Sequence, residues 1–275
     1  MIPPRALAAV PGVGAGTGPR ITPLAGGRVN RSFRVETPSG AFVLRLNAPS
    51  PETTLLGADR RHEISAQRLA AQAGLAPRVI AVAPDHSFQV SEYVAGETAD
   101  AARLASAAGL ARLGASLQLL RALAAPEALR GADLMARTRR LVRLAAAAGA
   151  GDGALAAALG AAEAGWAAAG GGRQPCLVHS DPNPGNVVLT PSGTAVLLDW
   201  EYAHVGDPLQ DPAAWLQACP ALAGRERELL HACGLAGQAD PAMLAGMAEV
   251  YAALDLAWSR LAGTAAGATP DGRAN

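Results

Sequence analysis

"LVHSDPNPGNVVL", Leu177–Leu189, decides how the rest of the chain is read. Two apolar runs flank a loop in which His179, Asp181 and Asn186 stand at fixed offsets, with Pro182, Pro184 and Gly185 between them. Proline fixes φ and glycine tolerates conformations that other residues avoid, so the loop after Asp181 is conformationally restricted. A carboxylate and an amide are thereby held in a defined relation just ahead of an apolar run.

That run, "NVVLT", opens with Asn186. "TAVLLDW" follows after "PSG" at Pro191–Gly193, a tight-turn sequence. A hairpin brings together the start of its first strand and the end of its second. Asn186 and Asp199 should therefore lie at one rim, with Asp181 a single loop away. Hard oxygen donors of this kind suit Mg²⁺, which keeps several waters and takes one or two carboxylates plus substrate phosphates. An aspartate that does not ligate metal can accept a proton from an attacking hydroxyl. Phosphoryl transfer needs both, charge neutralisation and an oriented nucleophile.

Upstream, residues 21–94 read β-β-β-α-β-β. "ITPLAG", "RSFRVET" and "AFVLRLNA" are strand-like, and "TPSG" at Thr37–Gly40 separates the last two as a hairpin turn. "GADRRHEISAQRLAAQAG", Gly57–Gly74, is a helix that Gly74 stops, and "PRVIAVAP" and "SFQVSEYV" are two further strands. From residue 99 alanine, leucine and arginine recur at helical spacing, with helices expected at 109–125 and 134–150 and a long closing helix from Pro241. The expected architecture is α+β: a small β-rich lobe over residues 1–96 and a larger helical lobe over 97–275, hinged near Val94–Thr98. A ligand belongs in the crevice between such lobes.

Composition narrows the function classes. The chain has 275 residues, half of them hydrophobic, and a formal net charge of zero. It is long enough for a sizeable core. Nothing in the charge favours nucleic acid or an anionic membrane as partner, and no window reaches the roughly 18 uninterrupted apolar residues of a membrane span. Cys176, Cys219 and Cys233 form no C-x-x-C pair, which suits a reducing cytosol. His62, His86, His204 and His231 show no partners and read as surface or capping residues. There is no lysine anywhere; every strong cation is arginine.

"HSDPNPGN" fits H-x-D-x-x-x-x-N, and so resembles the catalytic loop of the protein-kinase-like superfamily. "LLDWE", followed by "YAHVGDPLQDPAAW", resembles the small-molecule branch: aminoglycoside phosphotransferases, choline kinases and thiamine kinases. The resemblance implies a protein-kinase-like two-lobe fold and an ATP- and Mg²⁺-dependent transfer to a small hydroxylated acceptor. It implies Asp181 as catalytic base, Asn186 and Asp199 as Mg²⁺ ligands, His179 and Asp207 as structural braces, and Glu201 near the metal or substrate. "LAGGRVNRSFRV" resembles the hairpin that covers the phosphates, with Gly26, Gly27, Asn30 and Ser32 over the nucleotide. Arg45 stands where a lysine is usual, with Glu63 as its ion-pair partner, and Glu92, Tyr93 and Val94 would meet adenine. Choline, thiamine or a related amino alcohol is the leading acceptor. An aminoglycoside phosphotransferase and a nucleotide-binding pseudokinase without turnover are the alternatives. Tyr251, Asp255 and Trp258 fall on one helix face and, with Trp215, are candidates for a cation-binding wall; core packing is the competing reading of the aromatics.

Overall fold

The computed structural model describes residues 1–14, 18–24, 30–47, 59–126, 129 and 131–267. A short helix α1 (Pro4–Ala8) precedes β1 (Arg20–Leu24), β2 (Arg31–Thr37), β3 (Gly40–Leu46), helix α2 (Arg60–Gln72), β4 (Val79–Val82) and β5 (Phe88–Glu92). The strands form one antiparallel sheet in the order β1-β2-β3-β5-β4. Strand parity decides what reaches the cleft, because successive side chains point to opposite faces. Phe33, Val35, Leu44 and Val90 pack with Ala6 and Val10 into an apolar cluster on one face. The other face carries the cross-strand row Ser32, Arg45 and Gln89. Arg45 is thus turned away from the apolar cluster and toward α2.

Helix α2 begins at the N-cap Asp59, whose side chain accepts from Arg61 N at 2.8 Å. Its buried stripe is partly polar: Glu63, Ile64, Ala66, Gln67 and Ala70. Gln67 accepts from Gln89 Nε2 at 2.7 Å and donates to Pro77 O at 2.9 Å, so the stripe is anchored to the sheet by hydrogen bonds. Gly74 ends the segment in the left-handed region, at φ 72°.

Beyond Glu92 the chain enters a second, mainly helical body. It comprises β6 (Glu97–Thr98), α3 (Ala101–Ala105), α4 (Ala107–Ala122), α5 (Leu134–Ala145), α6 (Gly153–Ala169), β7 (Cys176–Val178), β8 (Val187–Leu189), β9 (Ala195–Leu197), β10 (His204–Gly206), α7 (Gln210–Ala218), α8 (Glu226–Ala232) and α9 (Pro241–Gly267). Asp100, Ser106, Asp133 and Asp152 cap α3 to α6, each accepting a hydrogen bond from a backbone N–H three residues on. Helices α6 and α9 cross so closely that a Cβ on Gly165 would stand 2.3 Å from Gly246 O. Among the described residues no helix is long and apolar enough to cross a membrane.

The expected hairpin is present: Val187 pairs with Leu197, and Leu198 N donates to Asn186 O at 2.7 Å. Two pairings were not expected. Strand β6 adds to the hairpin from the hinge side, and β10 pairs with β7. The helix expected at 134–150 leaves α geometry after Ala145, where Gly149 takes φ 79°. The helix expected at 109–125 instead runs from Ala107 to Ala122.

Candidate active site

A cleft of about 980 Å³ opens between the sheet and the helical body. Its floor is the loop after β7 and the end of β9. Asp181 Oδ2 accepts from Asn186 Nδ2 at 2.8 Å, and Asp181 O accepts from the same nitrogen at 3.2 Å. Asn183 Nδ2 donates to the other carboxylate oxygen. Asn186 Nδ2 is thereby occupied, and its Oδ1 accepts no hydrogen bond among the described residues. Asp199 also lines the cleft, as does Glu201. The three oxygen-bearing side chains expected to converge do meet in one cavity.

Two non-glycine residues of this floor lie in the left-handed region, Ser180 at φ 68° and Asp199 at φ 57°. Such conformations cost on the order of 1–3 kcal/mol and persist only where the surroundings hold them. The hold on Ser180 is visible. Asp211 accepts from His179 N at 3.1 Å and Ser180 N at 2.6 Å, and Ser180 Oγ meets Tyr251 OH at 2.9 Å. His179 is fully buried and lies edge-on to Trp200 at 4.8 Å. Its Nε2 faces Leu198 O at 2.8 Å, and its Nδ1 accepts from Asp181 N at 3.3 Å. A carbonyl can only accept, so Nε2 carries the proton. Burial pushes the His179 pKa down to about 4, and the ring serves as a neutral strut between the loop and the end of β9. Asp207 braces the next loop, taking Arg173 Nε at 2.9 and 3.1 Å and Leu209 N at 2.8 Å.

Across the cleft Glu63, 1% exposed, receives Arg45 on one oxygen and Arg60 on the other, the latter at 2.6 Å. Arg45 Nη1 also reaches Asp199 at 3.2 Å, tying the sheet to the floor. Arg60 extends to Asn30 Oδ1 at 3.1 Å and Glu201 at 3.5 Å. Burial alone would raise the Glu63 pKa; Arg45 and Arg60 outweigh it and hold the carboxyl below its ordinary value. The floor acids go the other way. Burial lifts Asp181 to about 7, helped by Asp199 and Glu201, and lifts Glu201 to about 7, helped by Asp199 and Glu63. Asp199 is raised by burial against the pull of Arg45.

Glu92, Tyr93 and Val94 form one end of the cleft. Glu92 N donates to Arg78 O at 2.9 Å and Tyr93 N to Ala41 O at 3.1 Å, whereas Val94 N–H carries no hydrogen bond among the described residues. Asn30 and Ser32 line the same cavity; Gly26 and Gly27 lie outside the described residues. Tyr251, Asp255 and Trp258 line the same cleft, in keeping with the shared helix face that their spacing predicts. Trp215 does not: it is fully buried in the helical core, because α7 turns that face toward α9. His204 is also corrected. It is buried, with Nδ1 against Tyr202 O at 2.9 Å.

Three residues escaped the sequence reading. Arg60 precedes Glu63 by one helical turn, a spacing that could have flagged it. Asp211 follows Asp207 by four residues in "GDPLQD". Arg137 lines the cleft with its guanidinium carbon 4.2 Å over the Tyr202 ring, and no local pattern announces it.

Asp199 and Asn186 are the groups able to hold a cation here. No cluster of three or more His, Cys, Asp or Glu side chains at metal-holding distances occurs among the described residues. The donor set is one carboxylate and an amide, which fits an ion that takes few protein ligands and fills its shell with water and phosphate. Mutual repulsion among Asp181, Asp199 and Glu201 also favours a cation between them.

The sequence matches the model of the phosphotransferase enzyme family over residues 20–261. The chain belongs to that family. Solved structures agree on the kinase-like fold of this phosphotransferase. A choline/ethanolamine kinase family protein from Mesorhizobium loti is 25% identical with a TM-score of 0.73, covering 98% of this chain and 87% of that one. The choline kinase LicA from Streptococcus pneumoniae is 18% identical, with TM-score 0.69 and coverage of 92% and 88%. The macrolide 2'-phosphotransferase MphH from Brachybacterium faecium is 20% identical, with TM-score 0.63 and coverage of 94% and 97%. No curated protein matches the sequence.

Proposed function

We propose that this phosphotransferase moves the γ-phosphoryl group of ATP to the hydroxyl of a small amino alcohol, with Asp181 as the base. One observation carries the reading: Asp181, Asn186 and Asp199 converge on the floor of a cleft whose opposite wall presents Arg45 locked to Glu63. Residues 1–96 hold the nucleotide, and 97–275 supply the chemistry and the acceptor site. Val94 N–H meets the adenine edge. Arg45, its terminal nitrogens on Glu63 and Asp199, presents its positive charge to the phosphates, and Asn30 and Ser32 flank them. Asn186 and Asp199 hold Mg²⁺, which supplies charge neutralisation on the transferring group.

Asp181 accepts the proton of the acceptor hydroxyl and orients it for in-line attack. Asn183 and Asn186 fix the carboxylate plane from both sides, so the base is positioned before the acceptor arrives. Asp255 and the Trp258 ring, in the same cleft, suit an ammonium group. The Mesorhizobium loti relative, from a family of choline/ethanolamine kinases, supports the amino-alcohol class.

The test is ADP release with the full chain, ATP, Mg²⁺ and a panel containing choline, ethanolamine, thiamine and aminoglycosides. Asp181→Asn is expected to lower turnover about 10²–10⁴-fold while nucleotide affinity stays nearly intact. Unchanged turnover refutes the role.

A further inference from the structure

Arg137 lines the cleft, and no anion pairs with it among the described residues. It projects from the first turns of α5, and its guanidinium carbon stands 4.2 Å over the Tyr202 ring. Arg45 and Arg60, in the same cavity, both hold carboxylates. Arg137 forms no ion pair and no hydrogen bond among the described residues, and its Nε is buried without a partner. The group is part-exposed in the cleft, and its Nε, shut off from solvent without a partner, is the atom that an incoming acceptor oxygen would complete. Stacking on an aromatic face occupies the plane of the group and leaves its edge free, and that edge is the fork that matches a planar oxyanion.

The position bears on the reaction. The field of Arg137 reaches Asp181, which it pulls down against the effect of burial, and it also reaches Tyr251. Arg137, Tyr202 and Asp181 line one cavity, so an anion seated on this fork shares that cavity with the hydroxyl that Asp181 activates. Asp255 lines the same cleft, exposed and without an ion pair among the described residues. A wall with one unanswered cation and one unanswered anion does not suit a purely cationic alcohol. It suits one that carries both signs.

We propose that the acceptor bears an oxyanion, a carboxylate or a phosphate, close to its reactive hydroxyl, and that Arg137 is the residue that selects it. This deepens the phosphotransfer reading and rests on it. Choline and ethanolamine then lack one of the two recognised groups.

The experiment uses matched pairs that differ by one anion-bearing substituent: choline against carnitine, and ethanolamine against serine, with glycerol against glycerol 3-phosphate as the phosphate arm. Binding to the full chain is read by calorimetry and turnover by ADP release. The anionic member of at least one pair is expected to be favoured tenfold or more, and the pair in which this happens tells carboxylate from phosphate. Arg137→Met, which keeps the stem over Tyr202, should cut kcat/KM for that member roughly 10- to 100-fold, collapsing the ratio within the pair. Arg137→Lys should restore part of it. Equal or undetectable affinity for both members of every pair overturns the inference. So does a loss shared equally by both members, which marks a structural role, or a matching loss of ATP affinity, which assigns the guanidinium to the nucleotide. ADP release with choline or ethanolamine but with no anionic partner sinks this inference and leaves the phosphotransfer reading standing. Absence of any Asp181-dependent turnover, with anion-selective binding retained, does the reverse.

Discussion

Replacing Glu63 by glutamine is expected to destabilise the protein by about 3 kcal/mol, the low end of what breaking a buried ion pair costs. The carboxylate is 1% exposed and lies between two guanidinium groups that are each 14% exposed. Glutamine keeps the shape and one acceptor oxygen, but it turns an N–H donor toward a cation and leaves the two guanidinium groups only the longer contacts to Asp199 and Glu201. At this chain length each kcal/mol moves Tm by about 2–4 °C, so the midpoint should fall by about 6–12 °C. Total stabilities of about 5–15 kcal/mol leave the variant folded. The effect has a pH signature. The Glu63 pKa is held below its ordinary value of 4.5, so its contribution is fully present above that range and is lost as pH falls through the lowered folded-state pKa. Thermal unfolding followed by circular dichroism should therefore show the full gap between wild type and Glu63→Gln at pH 7 and a narrowing gap in acid. Released from Glu63, Arg45 should also raise KM for ATP. A Tm shift under about 2 °C at pH 7, or a gap that widens in acid, would show that Glu63 does not hold the two arginines as described.

Asp211 offers a test with the opposite slope. Burial lifts it to about 6, so the folded chain binds a proton more tightly than the unfolded chain does. Stability should fall as pH rises from about 4 to about 6 and then level off, and Asp211→Asn should remove that slope. The same variant sets an N–H against His179 N or Ser180 N, and should lower kcat roughly 10- to 100-fold by loosening the loop; steady-state kinetics beside a melting curve separates the two effects. Gly165→Ala drives a Cβ to 2.3 Å from Gly246 O, and should cost about 1–3 kcal/mol as the helices part. An unchanged melting temperature would mean that α6 and α9 do not cross so closely.

Much of the site was legible because its geometry is local. The turn "PSG" and the parity of two three-residue strands suffice to bring Asn186 and Asp199 to one rim, and three positions on one helix suffice to align Tyr251, Asp255 and Trp258. Arg45 and Glu63 needed the family resemblance, since an arginine on a strand reads the same whether it faces water or a carboxylate. What was missed depends on distant partners. Arg60 meets Glu201 across 141 positions, and β6 finds β8 some 90 residues on through backbone pairing that leaves no mark in composition. Trp215 was misplaced for a related reason: an aromatic residue on a short helix between two packed elements has the same local pattern as one that faces a cavity. His204 went astray likewise, buried by a strand too short to announce itself.

The chain has no lysine, and Arg45 lines the cleft. Amine-acylating nucleotide analogues, which tag a cleft by modifying a lysine amine, will find nothing to modify here. Reagents selective for guanidinium will, and bound ATP should shield Arg45 from them. Occupancy of the pocket could thus be followed by protection chemistry even before the acceptor is in hand.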